Sequence, residues 1–436
     1  MSSEHIKKRL EEVIDQAQVR IDLDSAQNPE LRRAIQIVEV FLQKTGRVCY
    51  GGQAINVQLD QKDQFYDSNK ALPDYDFFSP EADKDTNDLI DILKKSGYNE
   101  ISKRIGIHDG TLKIYVNYTA IADISQMIPE FYETVYKKSV VVNGIHYADP
   151  LFLRMLMFLE LSRPRGQVER WEKVYERLTL LDNAHPLLKC KNNHPHVEIN
   201  KEAERVRPTI VRYMIKNRRI FMGADIHKIY RLSGEGVSAK SRSHFLVRGN
   251  TPIVFFSPNA EVDSHTLSKM INSTSEQVLG YQNILPAMVI LKIRDSVVAV
   301  IVQEEACHSI LTLPLTKDRY LRMASLDTLL TFLIGLYYRH NSLLMTQESL
   351  LCWIRQYIDL SNRYKARPTK LFPAFSIECS GYETSFASLL RAKAVRIQAE
   401  KQRVSSGKKT RARRLVNYGS RMTRRRISAD SVEVKK

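Results

Sequence analysis

Pro73-Asp74-Tyr75-Asp76-Phe77-Phe78-Ser79-Pro80 is the stretch that decides the fold. Side chains at i and i+2 of a strand share a face, so Asp74 and Asp76 project together. Phe77 and Phe78 mark the strand as buried, where an unpaired carboxylate is costly. Downstream, Ile121-Ala122-Asp123-Ile124 reads as a neighbouring strand that brings a third carboxylate. Upstream, Gly51-Gly52 forms a turn whose backbone N–H groups are open to close approach, with a short helix after it. A DxD or a GG alone is a weak signal. Together they describe oxygen ligands for two hard divalent cations, Mg²⁺ or Mn²⁺, which points to phosphoryl or nucleotidyl transfer.

Outward from this stretch the pattern is α/β. Leu31, Ala34, Ile35, Val38, Phe41 and Leu42 form a helical stripe over residues 30–45 that Gly46 ends. Arg47 to Tyr50 is a short strand, residues 88–96 a helix stopped by Gly97, and Leu112, Ile114 and Val116 alternate as in a strand. Asp149 is a suitable N-cap with Pro150 at the first helical position, opening a helix over 151–162; a second begins near Gln167. On that second helix Trp171 and Tyr175 read as core rather than as a base-stacking platform. Arg170 and Lys173, three apart, suit either phosphate oxygens or a solvated face paired with Glu169 and Glu172. His108 and His146 carry no signal beyond position and stay outside the catalytic set.

The chain then repeats itself. Arg219-Ile-Phe-Met-Gly223 echoes Arg47-Val-Cys-Tyr-Gly51, and Thr251-Pro-Ile-Val-Phe-Phe-Ser-Pro258 echoes the deciding stretch with Pro252 and Val254 in place of its acids. Strands over 288–293 and 297–302 follow, then helical patterns over 325–362. The expectation is a second α/β unit that cannot hold the two metals.

The whole chain carries 66 Lys and Arg against 49 Asp and Glu, a net +17. Residues 391–436 hold 16 of the basic residues against three acids, so +13 sits in the tail and +4 in the body. Such a tail suits a polyanion, most often nucleic acid, through Lys408, Lys409, Arg411, Arg413, Arg414, Arg424, Arg425 and Arg426. No apolar run approaches the roughly 18 residues of a membrane span. Residues 1–24 are charged and helical in pattern, unlike a secretory leader, so the expectation is an intracellular protein without membrane contact. The scattered Cys49, Cys190, Cys307, Cys352 and Cys379, with no CxxC pair, read as reduced thiols.

Tyr50-Gly-Gly-Gln-Ala-Ile55, the deciding stretch, Ala122-Asp-Ile-Ser125 and Arg170-Trp-Glu-Lys173 resemble the nucleotidyltransferase signature of the DNA polymerase β superfamily. They are most similar to its version in the poly(A) polymerase catalytic subunits of large nucleocytoplasmic DNA viruses, over roughly residues 47–190. The resemblance implies an α/β (α+β) nucleotidyltransferase fold with a short mixed sheet, a helical segment and a degenerate second copy. It implies Asp74, Asp76 and Asp123 as metal-binding catalytic acids and Gly51 and Gly52 at the nucleotide, to which the spacing of Arg170 and Lys173 adds those two as nucleotide-binding candidates. The implied activity is addition of AMP from ATP to mRNA 3′ ends, in a homodimer, in the host cytoplasm with its viral factories or in the virion. A terminal uridylyl or CCA-adding transferase, and a non-catalytic RNA-binding processivity subunit, are the alternatives. One departure stands out: the interval from Gly52 to Asp74 is long, and the extra residues around 58–70 are expected to shape the site's rim. The chain is thus divided into an N-terminal helical segment (1–29), a catalytic unit (30–148), helices completing it (149–190), a linker (191–207), a degenerate unit (208–390) and the basic tail (391–436).

Overall fold

A computed structural model describes residues 3–187, 190, 200–223, 226–233, 246–281, 284–316, 318–339, 345–383 and 386–405. A solvent-exposed helix α1 (Ser3–Gln27) leads into α2 (Pro29–Thr45). Asn28 caps α2 by accepting from the N–H groups of Glu30 and Leu31, and Gly46 ends it at φ +63°, the left-handed conformation that glycine adopts without strain. Then follow β1 (Val48–Tyr50), α3 (Gly51–Asn56), β2 (Tyr75–Ser79), α4 (Ala82–Lys95), β3 (Ile101–Ile105), β4 (Thr111–Val116), β5 (Thr119–Gln126), α5 (Pro129–Lys138), β6 (Val140–Val142) and β7 (Ile145–Tyr147). These strands make one mixed sheet in the order β3-β4-β5-β2-β1-β7-β6. Asp149 caps α6 (Pro150–Leu161), with Pro150 at its first position, and α7 (Trp171–Ala184) packs on it.

The second half repeats this order. It comprises α8 (Lys201–Lys216), β8 (Ile220–Met222), α9 (His227–Ser233), β9 (Ile253–Ser257), α10 (Ala260–Ile271), β10 (Thr274–Val278), β11 (Met288–Ile293), β12 (Ser296–Gln303), β13 (His308–Pro314) and β14 (Tyr320–Ala324). After them come α11 (Leu326–Tyr338), α12 (Gln347–Ala366), β15 (Cys379–Ser380) and α13 (Phe386–Ser405). The sheet order β10-β11-β12-β9-β8-β14-β13-β15 is the first sheet's order with one strand added at the edge.

Small polar networks are duplicated with the strands. Gln126 accepts from the Ala82 N–H and donates to the Pro80 carbonyl; Gln303 does the same with Ala260 and Pro258. Arg47 pairs with buried Asp85 at 2.6 Å, and Arg219 with buried Asp263 at 2.5 Å. Such matched detail is what a duplicated fold leaves behind, because each network closes backbone groups that the topology leaves open.

The two halves share one continuous apolar core. At their contact Tyr338 donates to Asp149 at 2.5 Å, Lys138 donates to the Tyr337 hydroxyl at 3.0 Å, and Phe131 stacks on Tyr281.

Two expectations are corrected here. Residues 201–207, placed in the linker by their polarity, are the first turns of α8; Ala203, Val206 and Ile210 bury one stripe, and buried Arg207 donates to the carbonyls of Leu246 and Thr251. The cysteines are not all reduced: Cys190 pairs with Cys352 and Cys307 with Cys379, with Cα atoms 5.4 and 5.3 Å apart, and buried Cys49 alone is free. Sequence separations of 162 and 72 residues hid both pairs, since only tertiary packing brings those positions together.

Candidate active site

The centre of the first sheet carries a row of polar residues at one level. Lys113 on β4 is registered with Asp123 on β5, Asp123 with Asp76 on β2, and Asp76 with Tyr50 on β1. Residues paired across a sheet point to the same face, with strands about 4.8 Å apart, so these four side chains stand together. Asp74 precedes β2 by one residue and joins Asp76 by alternation. All three expected acids are therefore gathered: Asp74 exposed at the mouth, Asp76 half-buried and Asp123 buried.

Their electrostatics show the cost of gathering them. Burial first, and then the charges of Asp74 and Asp123, push Asp76 up to about 8; Lys113 and Arg170 pull the other way. Asp74, though open to solvent at the mouth, is raised by partial desolvation on its protein-facing side and by Asp123. Lys113 donates to Asp123 Oδ2, and this pairing outweighs the burial that opposes its charge, leaving the Lys113 pKa raised. The other oxygen, Asp123 Oδ1, is buried without a hydrogen-bond partner. Tyr50 donates to or accepts from Ser125 at 2.9 Å and closes the row.

The donor chemistry fits divalent cations: three carboxylates, one with an orphaned buried oxygen, and too few positive charges to balance them. No three acid, His or Cys side chains stand close enough among the described residues to make a preassembled site, and Lys113 occupies part of Asp123's capacity. An ion would have to compete with Lys113 and with the proton on Asp76.

That competition sets a pH dependence. The Asp76 carboxyl titrates near 8 when folded and near 3.8 otherwise, so the unfolded chain gives up its proton first. Its contribution to the stability of the metal-free protein is complete at acid pH and is lost as pH rises toward about 8. We expect stabilisation by added Mn²⁺, read as a thermal shift, to grow as pH is raised through that range, because cation and proton compete for one carboxylate.

Gly51 is where sequence placed it, with a structural reason. Its φ is +76°, and a Cβ there would come within 2.6 Å of Asp76 Oδ2. Any other residue would displace the carboxylate. Gly52 faces away from the acids toward Tyr66 and Arg177.

Arg170 and Lys173 are placed differently from one another. Arg170 lies in a 3₁₀ turn (Val168–Arg170) ahead of α7, held by Glu160 and Gln167 at 3.2 Å, and its charge reaches Asp76. Lys173 is exposed on α7 and makes no hydrogen bond or ion pair among the described residues. Trp171 and Tyr175 pack on Phe375, as core residues. The tail residues Lys408, Lys409, Arg411, Arg413, Arg414, Arg424, Arg425 and Arg426 lie outside the described residues. Lys113 was missed, although the alternation of Leu112, Ile114 and Val116 already assigns it to the opposite, polar face.

The second unit shows the same row emptied of chemistry. By register Ile290, Val300, Val254 and Met222 stand where Lys113, Asp123, Asp76 and Tyr50 do, and all four are buried. The expected loss at Pro252 and Val254 is thus completed at Val300, a counterpart that the linear repeat did not locate.

Residues 36–167, which contain the whole acid row, match the family model described as poly(A) polymerase catalytic subunit. A protein of Acanthamoeba polyphaga mimivirus, with the provisional description of a poly(A) polymerase catalytic subunit, is 29% identical over 187 residues, 42% of this chain and 32% of the relative. One from African swine fever virus (isolate Tick/Malawi/Lil 20-1/1983), with the same description, is 28% identical over 163 residues, 36% of this chain and 34% of the relative. The matched segment spans about a third of the length of these relatives. The crystal structure of the Megavirus polyadenylate synthase superposes with a TM-score of 0.74 at 19% identity, covering 92% of this chain and 83% of that one. The mixed α/β fold expected for the chain is therefore shared with that structure.

Proposed function

We propose that the chain is a template-independent poly(A) polymerase that transfers AMP from ATP to the 3′ end of RNA, mRNA in particular. The observation that carries this reading is the row of Asp123 and Asp76, joined by Asp74, set against the Gly51 backbone in the segment that matches that family model. In the reaction the 3′-oxygen of RNA attacks the α-phosphorus of ATP, the bond to the β-phosphate breaks, pyrophosphate leaves, and the hydroxyl proton passes to solvent. Asp74, Asp76 and Asp123 would hold two Mg²⁺ or Mn²⁺ ions, whose Lewis acidity would serve the transfer. Gly51 leaves room for the nucleotide beside the acids, and Lys113 fixes Asp123 through its Oδ2. The second unit, with its apolar row, serves as scaffold.

We expect an intracellular setting and a homodimer as the active species, the latter to be tested by sedimentation. Helix α13 brings the chain back to the first unit, where Arg396 donates to the Gly106 and Ile107 carbonyls at 3.3 and 3.0 Å. The basic residues that follow α13 in the sequence are suited to holding the RNA backbone.

Incubating the protein with labelled single-stranded RNA, Mg²⁺ or Mn²⁺ and each nucleoside triphosphate separately tests the reading. A ladder with ATP is expected. A ladder with UTP or CTP would change the nucleotide and keep the mechanism; RNA binding without extension would make the chain a binding subunit. Truncation after Ser405 is expected to weaken RNA binding and flatten its salt dependence, with an unchanged slope refuting the tail's role.

A further inference from the structure

We propose that Arg177 binds the distal phosphates of the nucleoside triphosphate, held in place by Tyr66 as a positioning residue; this deepens the function proposed above and rests on it. Gly51 and Gly52 are adjacent but face different groups: a Cβ on Gly51 would meet Asp76, while one on Gly52 would meet Arg177 Nη1 and the Tyr66 hydroxyl, both at 2.8 Å. A ligand laid along this backbone has the carboxylates at one end and a guanidinium at the other. That polarity matches a metal-associated α-phosphate followed by anionic β- and γ-phosphates.

The guanidinium is held by a built support. Arg177 Nη2 donates to the Tyr66 hydroxyl at 2.7 Å, and its Cζ lies 4.4 Å from the Phe65 ring centroid and 5.2 Å from that of Tyr66. Phe65 and Tyr66 are fixed in turn by buried Asn56 of α3, whose Oδ1 accepts from both their N–H groups at 2.8 and 2.9 Å and whose Nδ2 donates to the Tyr66 carbonyl. Arg177 makes no ion pair among the described residues; the nearby Glu160 is hydrogen-bonded to Arg170. The long interval between Gly52 and Asp74 thus has a role: it supplies the aromatic pair that orients a cation on which the Glu160 carboxylate acts only at longer range among the described residues.

Equilibrium binding of ATP, ADP and AMP in Mg²⁺ to the full-length protein, without RNA, tests this against Arg177→Gln, Arg177→Lys and Tyr66→Phe. Loss of a charge-assisted phosphate contact is expected to weaken ATP binding by Arg177→Gln about 10- to 100-fold and to leave AMP binding unchanged. Arg177→Lys should fall between, because it keeps the charge and loses the fork, and Tyr66→Phe should weaken ATP selectively by a smaller factor. Unliganded thermal unfolding checks that each variant folds, and the Lys variant carries the test if Gln does not fold. An unchanged ATP-to-AMP preference in the folded Arg177 variants overturns the inference and leaves the polymerase reading intact. A wild-type protein that binds none of the three nucleotides overturns both.

Discussion

Asp76→Asn is expected to lower AMP transfer by about three orders of magnitude or more, since a missing metal-binding carboxylate removes several kcal/mol of transition-state stabilisation. The same substitution should raise the thermal midpoint of the metal-free protein near pH ~8, where the native state otherwise pays to keep the Asp76 proton. The two effects have one origin. Burial and the charges of Asp74 and Asp123 make Asp76 a poor anion without a cation beside it, and Asn removes that conflict along with the ligand. Retention of transfer in Asp76→Asn would sink the assignment of the acids. Loss of transfer with loss of stability would mean that Asp76 is structural instead.

The largest stability effects are expected away from the acids, at the duplicated ion pairs. Asp85 is 2% exposed and accepts from Arg47 at 2.6 and 3.1 Å and from Ser79 at 2.5 Å. Asp263 is 1% exposed and accepts from Arg219 at 2.5 and 2.8 Å and from Tyr213 at 2.7 Å. Truncating either to Ala leaves a largely buried guanidinium without its main partner, Arg47 keeping Glu81 at 3.8 Å and Arg219 the Asn217 carbonyl at 3.1 Å, at a cost of about 3–5 kcal/mol in denaturant unfolding. Removing Arg and Asp together should cost much less, because the buried charge goes with its partner. Asp263→Ala should also keep measurable transfer in whatever fraction stays folded, as a scaffold residue must. Abolished transfer in well-folded Asp263→Ala would give the second unit a direct role in the chemistry.

Much of the first unit was legible in the sequence because its signals are local. The Asn28 and Asp149 caps, the stop at Gly46 and the DxD strand before Phe77-Phe78 all act within a few residues of chain. Helix α4 starts at Ala82 rather than near Asp88, since its first turns carry Asp85 and Thr86 inward and so lack an apolar stripe to announce them. The two echoes of the repeat were visible because Gly and Phe-Phe-Ser-Pro are short, contiguous words.

What the sequence by itself determined was which residues are candidates for the chemistry: Asp74, Asp76 and Asp123, with Gly51 and Gly52 beside them, are chemically unusual where they stand. Tertiary structure decided what surrounds them. Strand register set Lys113 against Asp123 and Val300 opposite Val254, the fold closed two disulfides across 162 and 72 residues, and packing laid Arg177 over Gly52 from 125 positions away (177 − 52). Side-chain alternation and capping are properties of neighbouring residues, whereas register, burial and ion pairing depend on which distant segments exclude water together.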